Sequence, residues 1–531
     1  MAVAEDPAEV IRPTIERSSA VDRVPGAAVR RLGAVVPVLA VLGSGVALRL
    51  WDLGALGFNS DEAVYAGQAA SLADNPVYRD DFPVFRAHPM LVQSLLLSPF
   101  FRNGEHDVVG RVVMALVGLA TVVLVYFLGR ALYSSHSVGL LAAGITLLMP
   151  YHLVVSRQVL LDGPMVMLST LSLLCVAQYA ATHRTWWLIA AGGSMGLTML
   201  AKESAIILVG GVYAFMALTP QIRGQLKAVV LAAPLVPVLF LVHPVSMHLA
   251  EHAGTGKSYL VWQLLRRPNH GLGFYLETVP WALGPLVVLA AVVAVMIPRR
   301  DRSWREVLLV CWIAAPVVAF TVWPVKGFQY LLPIAPAVAV LAARGLLTWT
   351  PPQWLRERVA FRRSTLIRFA AVAAVLVSLF VASLARVTAT SSSTFLAGSG
   401  GVPGGREAGR WMAEHTPAGV SVLTLGPSMA NIIQYYGHRK TFGLSVSPNP
   451  LHRNPAYPPV VNPDFALRDG SLQYIVWDSF SAGRSPHFSS KLRELIRRYH
   501  GRVAHAEYIH RRSPTGDTEK VPVVVVYEVR P

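Results

Sequence analysis

Carboxylates are scarce in this chain. Only 30 of its 531 residues are Asp or Glu, against 47 Lys and Arg, and 15% of residues are charged while 53% are hydrophobic. Soluble domains carry about 25% charged residues, so this composition argues against a water-soluble globule. Cysteine is rarer still. Cys175 and Cys311 both fall inside apolar runs, which argues against a disulfide scaffold or a thiolate metal site. A nucleotide loop is also missing. Gly254 to Ser258 ends like a phosphate-binding loop, but position 251 is Glu where the pattern needs Gly, and no strand precedes it. His243, His248 and His252 have Glu251 as their one acidic companion and are interrupted by Pro244, so no metal is expected there. The net charge of +17 does not point to nucleic acid. The basic residues sit in short loops between apolar runs, where they orient a membrane protein and meet lipid headgroups.

What is present is a series of apolar runs near the length that crosses a bilayer. Eleven are expected, at about 32–50, 108–131, 137–153, 164–181, 186–200, 204–219, 228–248, 279–297, 306–323, 329–347 and 366–385. With the N-terminus inside, the inner connections hold Arg130, Arg184, Arg223, Lys227, Arg299, Arg300, Arg302, Arg305, Arg356, Arg358, Arg362, Arg363 and Arg368. The short outer connections hold one cation each, Arg157, Lys202 and Lys326, and this alternation sets the orientation. Residues 1–31 read as a disordered cytoplasmic tail and 32–388 as the membrane domain, with an outer loop at 51–107 carrying amphipathic helices. Residues 389–405 are a Ser/Gly-rich linker, and 406–531 have the composition of a small extracytoplasmic α/β domain. In that domain 406–415, 427–436 and 487–500 read as helices and 420–425, 474–477 and 521–526 as strands, with a Pro/Asn-rich surface loop at 447–463.

The scarce acids cluster where the topology gathers the outer loops. Asp61-Glu62 follow the first apolar run, and Asp74, Asp80, Asp81, Arg86 and His88-Pro89 come soon after. A carboxylate in a partly dry cavity has a raised pKa and can take a proton from a hydroxyl or amine. The plainer alternative makes Ser60 or Asp61 the cap of a helix starting at Ala63. Asp162 precedes the fourth run, where it either serves the cavity or caps a helix that has Pro164 in its first turn. Lys202-Glu203 is a phosphate-binding Lys with a neighbour or a self-neutralising surface pair. Lys326, Gln329 and Tyr330 close the set in WPVKGFQYLLP.

The order FNSDEAVYA, HPML, SRQVLLDGPM, LAKESA and KGFQYLLP resembles the integral-membrane C-type glycosyltransferases, the group holding protein O-mannosyltransferases and the lipid A aminoarabinose transferase. It covers residues 33–345. The resemblance implies a polyprenyl-phosphate sugar donor and transfer on the outer face of the cell membrane to a glycan, lipid or protein acceptor. It implies Asp61 as base with Glu62 beside it and Asp162 as a further catalytic acid. Lys202, Lys326, Gln329 and Tyr330, with His88 and Arg157, are then expected at the donor phosphate and sugar. Many relatives carry Arg just before that Tyr, where this chain has Gln329. No cofactor is required on this reading, a divalent metal is compatible with it, and an inverting displacement is expected. A transporter of lipid-linked glycans and a non-catalytic glycan-binding protein are the alternatives. A transporter would hold its charges near the bilayer midplane, whereas here they gather at the outer surface.

Overall fold

The structure, a computed structural model, describes residues 26–84, 87–222, 226–296, 303–348, 361–389, 401–512 and 518–530. The expected tail over 1–25, the linker over 390–400, and Arg86, Arg223, Arg299, Arg300, Arg302, Arg356 and Arg358 lie outside the described residues.

Each expected apolar run is helical. α1 is Gly26–Leu50. α2, Ser60–Leu72, belongs to the outer loop. α3 (Asp107–Tyr133), α4 (His136–Leu148), α5 (Asp162–Thr182), α6 (Thr185–Ala201) and α7 (Ile206–Leu218) follow. α8 is Lys227–Leu249 and α9, in the next connection, is Ala253–Leu265. α10 (Phe274–Leu283) and α11 (Pro285–Met296) meet at a bend of 98°. The bend falls on Gly284 at φ +96°, a backbone state open to glycine, followed by a proline that cannot continue the helix. α12 (Trp304–Val322), α13 (Phe328–Thr348) and α14 (Phe361–Val387) complete the bundle.

Among the described residues, six of these helices (α3, α5, α8, α12, α13 and α14) are long and apolar enough to cross a membrane, and a seventh is obtained if α10 and α11 form one span. The chain is a multi-pass membrane protein. The apolar part of α1, with α4 and α7, forms shorter apolar helices. α3 and α4 cross closely because Gly129 of one faces the backbone of Gly139 on the other, leaving about 3.0 Å for any added carbon.

The C-terminal domain is a five-stranded sheet in the order β2-β1-β3-β5-β4. Its strands are β1 (Ser421–Thr424), β2 (Lys440–Gly443), β3 (Tyr474–Asp478), β4 (Arg502–Arg512) and β5 (Thr518–Glu528). β1 runs parallel to β2 and β3, while β5 is antiparallel to β3 and β4. The register sets Val422 opposite Tyr474 and Val476 opposite Val526. The β-branched run Val523 to Val526 makes β5 a buried strand. α15 (Gly405–His415) and α16 (Pro427–Gly437) cover one face, and α17 (Pro486–Arg498) sets Leu492, Leu495 and Ile496 on the other. The α15–α16 face belongs to the same hydrophobic cluster as the membrane helices, whereas the α17 face forms its own. The two domains therefore share one core.

Candidate functional site

α2 is capped one residue before it begins. Asn59 Oδ1 accepts the Asp61 and Glu62 N–H groups at 3.0 Å each, and Glu62 Oε2 accepts the Asn59 N–H at 3.0 Å. The cap is thus Asn59, not Ser60 or Asp61, and the helix starts three residues earlier than Ala63. Capping by Asn59 leaves the Asp61 carboxylate unused, and it has no side-chain hydrogen bond among the described residues.

Glu62 faces a different environment. It is fully buried against Arg111, whose Nε and Nη2 donate to its two oxygens at 2.9 and 2.7 Å. Oε1 also accepts the Val159 N–H at 2.9 Å. Arg111 uses its remaining donors on the Leu53, Leu56 and Gly57 carbonyls at 2.7, 2.7 and 2.9 Å. Glu62 is therefore a saturated tie between α2, α3 and the 53–57 turn, with no lone pair left for a reacting proton.

Asp61 points toward the other cluster. Lys202 Nζ donates to both Asp162 oxygens at 2.8 Å and lies 5.4 Å from the centre of the Tyr330 ring. Asp162 opens α5 without capping it; its partner is the Lys at the end of α6. Next to this pair His88 Nδ1 meets Glu203 at 3.0 and 3.1 Å, while its Nε2 is 3.4 Å from the Tyr259 hydroxyl. Burial raises the Asp61 carboxyl above the usual range; the charges of Lys202 and His88 oppose this, and Asp162 and Glu62 add to it. Burial pulls the His88 imidazole down, but the Glu203 carboxylate outweighs it and the net shift is upward. Carboxylate, ammonium and imidazole thus converge from four separate stretches of chain.

The other expected donor ligands divide. Tyr330 faces this cluster. Gln329 is buried, and its Oε1 has no hydrogen-bond partner among the described residues. Lys326 turns back, its Nζ donating to the Trp323 carbonyl at 3.0 Å while Asn269 holds its backbone N–H at 2.8 Å. Arg157 is buried and donates to the Leu48 and Trp51 carbonyls. Both cations thus donate to backbone carbonyls. The resemblance implies a donor role for both, and a sequence does not show which way a long side chain turns.

Glu203 takes a hydrogen-bond partner other than Lys202, and three residues that the motifs did not single out join the site. Glu203 orients His88. Tyr65, on α2, is edge-on to His88 with ring centres 6.1 Å apart. Tyr259 and Arg266 come from α9 and its C-terminal end, and the charge of Arg266 acts on both Tyr259 and Tyr330. Arg266 stacks on Trp262 at 4.5 Å and has no carboxylate partner among the described residues. Positions 259, 262 and 266 share a helical face by their spacing, a signal available in the sequence. The P-loop-like stretch 254–258 lies within α9, and a helix cannot serve as a phosphate-wrapping loop. No group of three or more metal-ligating side chains occurs among the described residues.

Comparison with known proteins follows the same lines. Residues 88–248 match the family model of the dolichyl-phosphate-mannose-protein mannosyltransferases. No curated protein matches the chain in sequence. Among solved structures it is similar to ArnT from Cupriavidus metallidurans bound to undecaprenyl phosphate, with a TM-score of 0.63 at 15% identity over 93% of this chain and 98% of that one. The apo form of that protein gives 0.62 at 15% identity over 94% and 98%. The Archaeoglobus fulgidus oligosaccharyltransferase gives 0.52 at 16% identity over 91% and 72%. The resemblance to the C-type membrane glycosyltransferases is thus shown twice, by the mannosyltransferase pattern over 88–248 and by a fold shared over nearly the whole chain.

Proposed function

We propose that this chain transfers a sugar from a polyprenyl-phosphate donor to an acceptor on the outer face of the membrane, with Asp61 as the base. One observation carries the reading: a partly buried carboxylate without a hydrogen-bond partner stands beside an assembled group of cations. Its raised pKa suits it to accept the proton of an acceptor hydroxyl or amine as that group attacks the anomeric carbon. The bond to the lipid phosphate breaks as the new glycosidic bond forms, so a single displacement inverts the anomeric centre. The leaving phosphate needs no general acid; it needs positive charge. Asp162 neutralises much of the Lys202 charge and Glu203 that of His88, so Arg266 supplies the least compensated charge, with the Tyr330 hydroxyl as a donor. Asp162 is on this reading an orienter of Lys202, and Glu62 an orienter of α2. The reading needs no metal.

The lipid chain has a place to lie. An apolar cavity of about 520 Å³, lined by Val176, Leu188, Met195, Val212, Met216 and Val236, runs between α5, α6, α7 and α8. α6 and α7, two of its walls, meet at Lys202-Glu203, and we propose that the lipid chain lies along them with its headgroup at the site. The family's printed substrate, a lipid-phosphate mannose, and the undecaprenyl phosphate in the similar ArnT structure support this class of donor. We assign eleven crossings, a cytoplasmic N-terminus and an outer C-terminal domain, the arrangement that sets every cavity residue on the outer side.

The test is transfer from labelled undecaprenyl-phosphate sugars in membrane vesicles. Asp61→Asn should lower the rate by about 10²–10⁴-fold, the range for losing a general base. Transfer at the wild-type rate in that variant would remove Asp61 from the role. If wild type consumes no lipid-phosphate sugar yet a lipid-linked glycan crosses the bilayer, the protein is a transporter.

A further inference from the structure

The C-terminal domain does not stand apart from the site. Asn431 of α16 is almost fully buried, and its Nδ2 donates to Ser60 Oγ at 2.9 Å and to the Tyr457 hydroxyl at 3.0 Å. Further along α16, the Tyr436 hydroxyl accepts the Phe58 N–H at 2.7 Å and donates to Asp107 Oδ2 at 2.7 Å. The Phe58 ring packs on Tyr435 and Tyr436 with centroids 5.3 and 6.3 Å apart. Gln434, between them, donates to the Asp81 carbonyl at 2.6 Å.

These contacts fall on both sides of the helix cap. Phe58 precedes Asn59 and Ser60 follows it, and Asp61 is the next residue. The membrane domain holds Asn59, whose Nδ2 donates to Gln158 Oε1 at 3.1 Å, and holds Glu62 through Arg111 and Val159; the C-terminal domain holds Phe58 and Ser60. The turn at Pro450–His452 also packs on α9, the helix carrying Tyr259 and leading to Arg266. One domain thus touches the wall that bears the carboxylate and the wall that bears the least compensated cation.

We propose that the C-terminal domain is a positioning part of the transfer site, in which Asn431 and Tyr436 fix the first turn of α2 and thereby the direction of Asp61. This rests on Asp61 being the base. Asn431 touches no reacting atom. It acts through Ser60 on the turn that aims its neighbour, so its loss should lower the rate of the chemical step and leave lipid-phosphate binding alone.

The experiment compares Asn431→Leu with Asn431→Asp in the full-length protein. An aspartate keeps both contacts with the donors reversed, since the hydroxyls of Ser60 and Tyr457 can donate to it. Asn431→Leu should lower kcat about 10-fold, the upper range for one neutral hydrogen bond. Asn431→Asp should stay within about twofold of wild type. Binding of undecaprenyl phosphate should remain within about twofold in both, because Lys202, Arg266 and Tyr330 are untouched. Hydrogen exchange should show faster opening of amides 60–64 in Asn431→Leu alone. The inference is overturned if Asn431→Leu transfers at the wild-type rate, if Asn431→Asp is as slow as Asn431→Leu, or if the rate falls only in step with lipid-phosphate binding. The exchange measurement separates this inference from its premise. Should Asp61→Asn remain fully active, the premise fails while loosened amides at 60–64 still report the clamp.

Discussion

Two buried ion pairs lie within a short distance of Asp61, and they are built to opposite specifications. In the Glu62–Arg111 pair every hydrogen-bonding position is used. The five N–H groups of Arg111 and the four acceptor positions of Glu62 all meet partners, five of them backbone groups of residues 53, 56, 57, 59 and 159. In the Lys202–Asp162 pair the ammonium makes two hydrogen bonds, both to Asp162, and the Tyr330 ring centre lies 5.4 Å from it. The first pair closes a structure. The second is left open on one side, the condition for receiving a ligand. Two adjacent acids, Asp61 and Glu62, fall on opposite sides of that division although the sequence presents them as equivalent.

The largest effect that tests the contrast removes both closed partners. Replacing a buried ion pair by apolar residues is often neutral when the pair's only partners are each other. Glu62→Leu with Arg111→Met should not be neutral, because it orphans three carbonyls and two N–H groups in the dry interior. Each orphan costs about 1–3 kcal/mol, and five of them approach the whole stability of a folded domain, about 5–15 kcal/mol. The double variant should yield no monodisperse folded protein in detergent. A well-folded product with a melting temperature near wild type would show that this pair is not the tie it is taken to be.

The same operation on the open pair should separate stability from function. Lys202→Met with Asp162→Leu removes two groups that bond only to each other, so the protein should fold with a stability change of no more than about 1–2 kcal/mol. Transfer should nevertheless fall about 10²-fold or more, since a preorganised charge facing the leaving phosphate is gone. Thermal unfolding and the vesicle assay read the two quantities. If this variant melts as badly as the first, the two pairs do not differ in kind.

Much of this was legible beforehand, and the failures have a common cause. Apolar runs report burial in a bilayer whatever their neighbours are, so the helices were readable one by one. The ordered motifs were readable for a similar reason, and they led to Asp61, Asp162, Lys202 and Tyr330. What the linear pattern concealed was direction. Arg157, Lys202 and Lys326 look alike as single cations in outer connections, yet one faces the cavity and two bond backbone carbonyls. Arg111 looks like a stray charge at the start of an apolar run until Glu62 is found against it. In the C-terminal domain β2, four residues long, and β4, rich in His and Arg, lack the apolar run that marked β5, because one is short and the other lies at an edge of the sheet. The partnership of Asn431 with Ser60 joins positions 371 residues apart and leaves no local trace.

The smallest expected effect concerns the pair between these extremes, His88–Glu203, whose cation depends on pH. Around His88 stand Glu203, Lys202, Asp61, His243 and the rings of Tyr65 and Tyr259. The Glu203 carboxylate shifts the His88 imidazole upward, so on the proposed reading its contribution to phosphate binding is complete below the shifted pKa and is lost as pH rises through it. Asp61 works in the other sense. Its raised pKa means that the base is lost as pH falls through that value, which sets the acid limb. The profile of kcat/KM against pH should therefore be bell-shaped, with each limb owned by one residue. His88→Arg, whose charge does not titrate in this range, should flatten the alkaline limb and leave the acid limb in place. Because Glu203 remains to pair the arginine, the change at neutral pH should be no more than a few-fold, about 0.5–1 kcal/mol. An alkaline limb that persists unchanged in His88→Arg would assign it to another group and move His88 to the closed, structural side of the division.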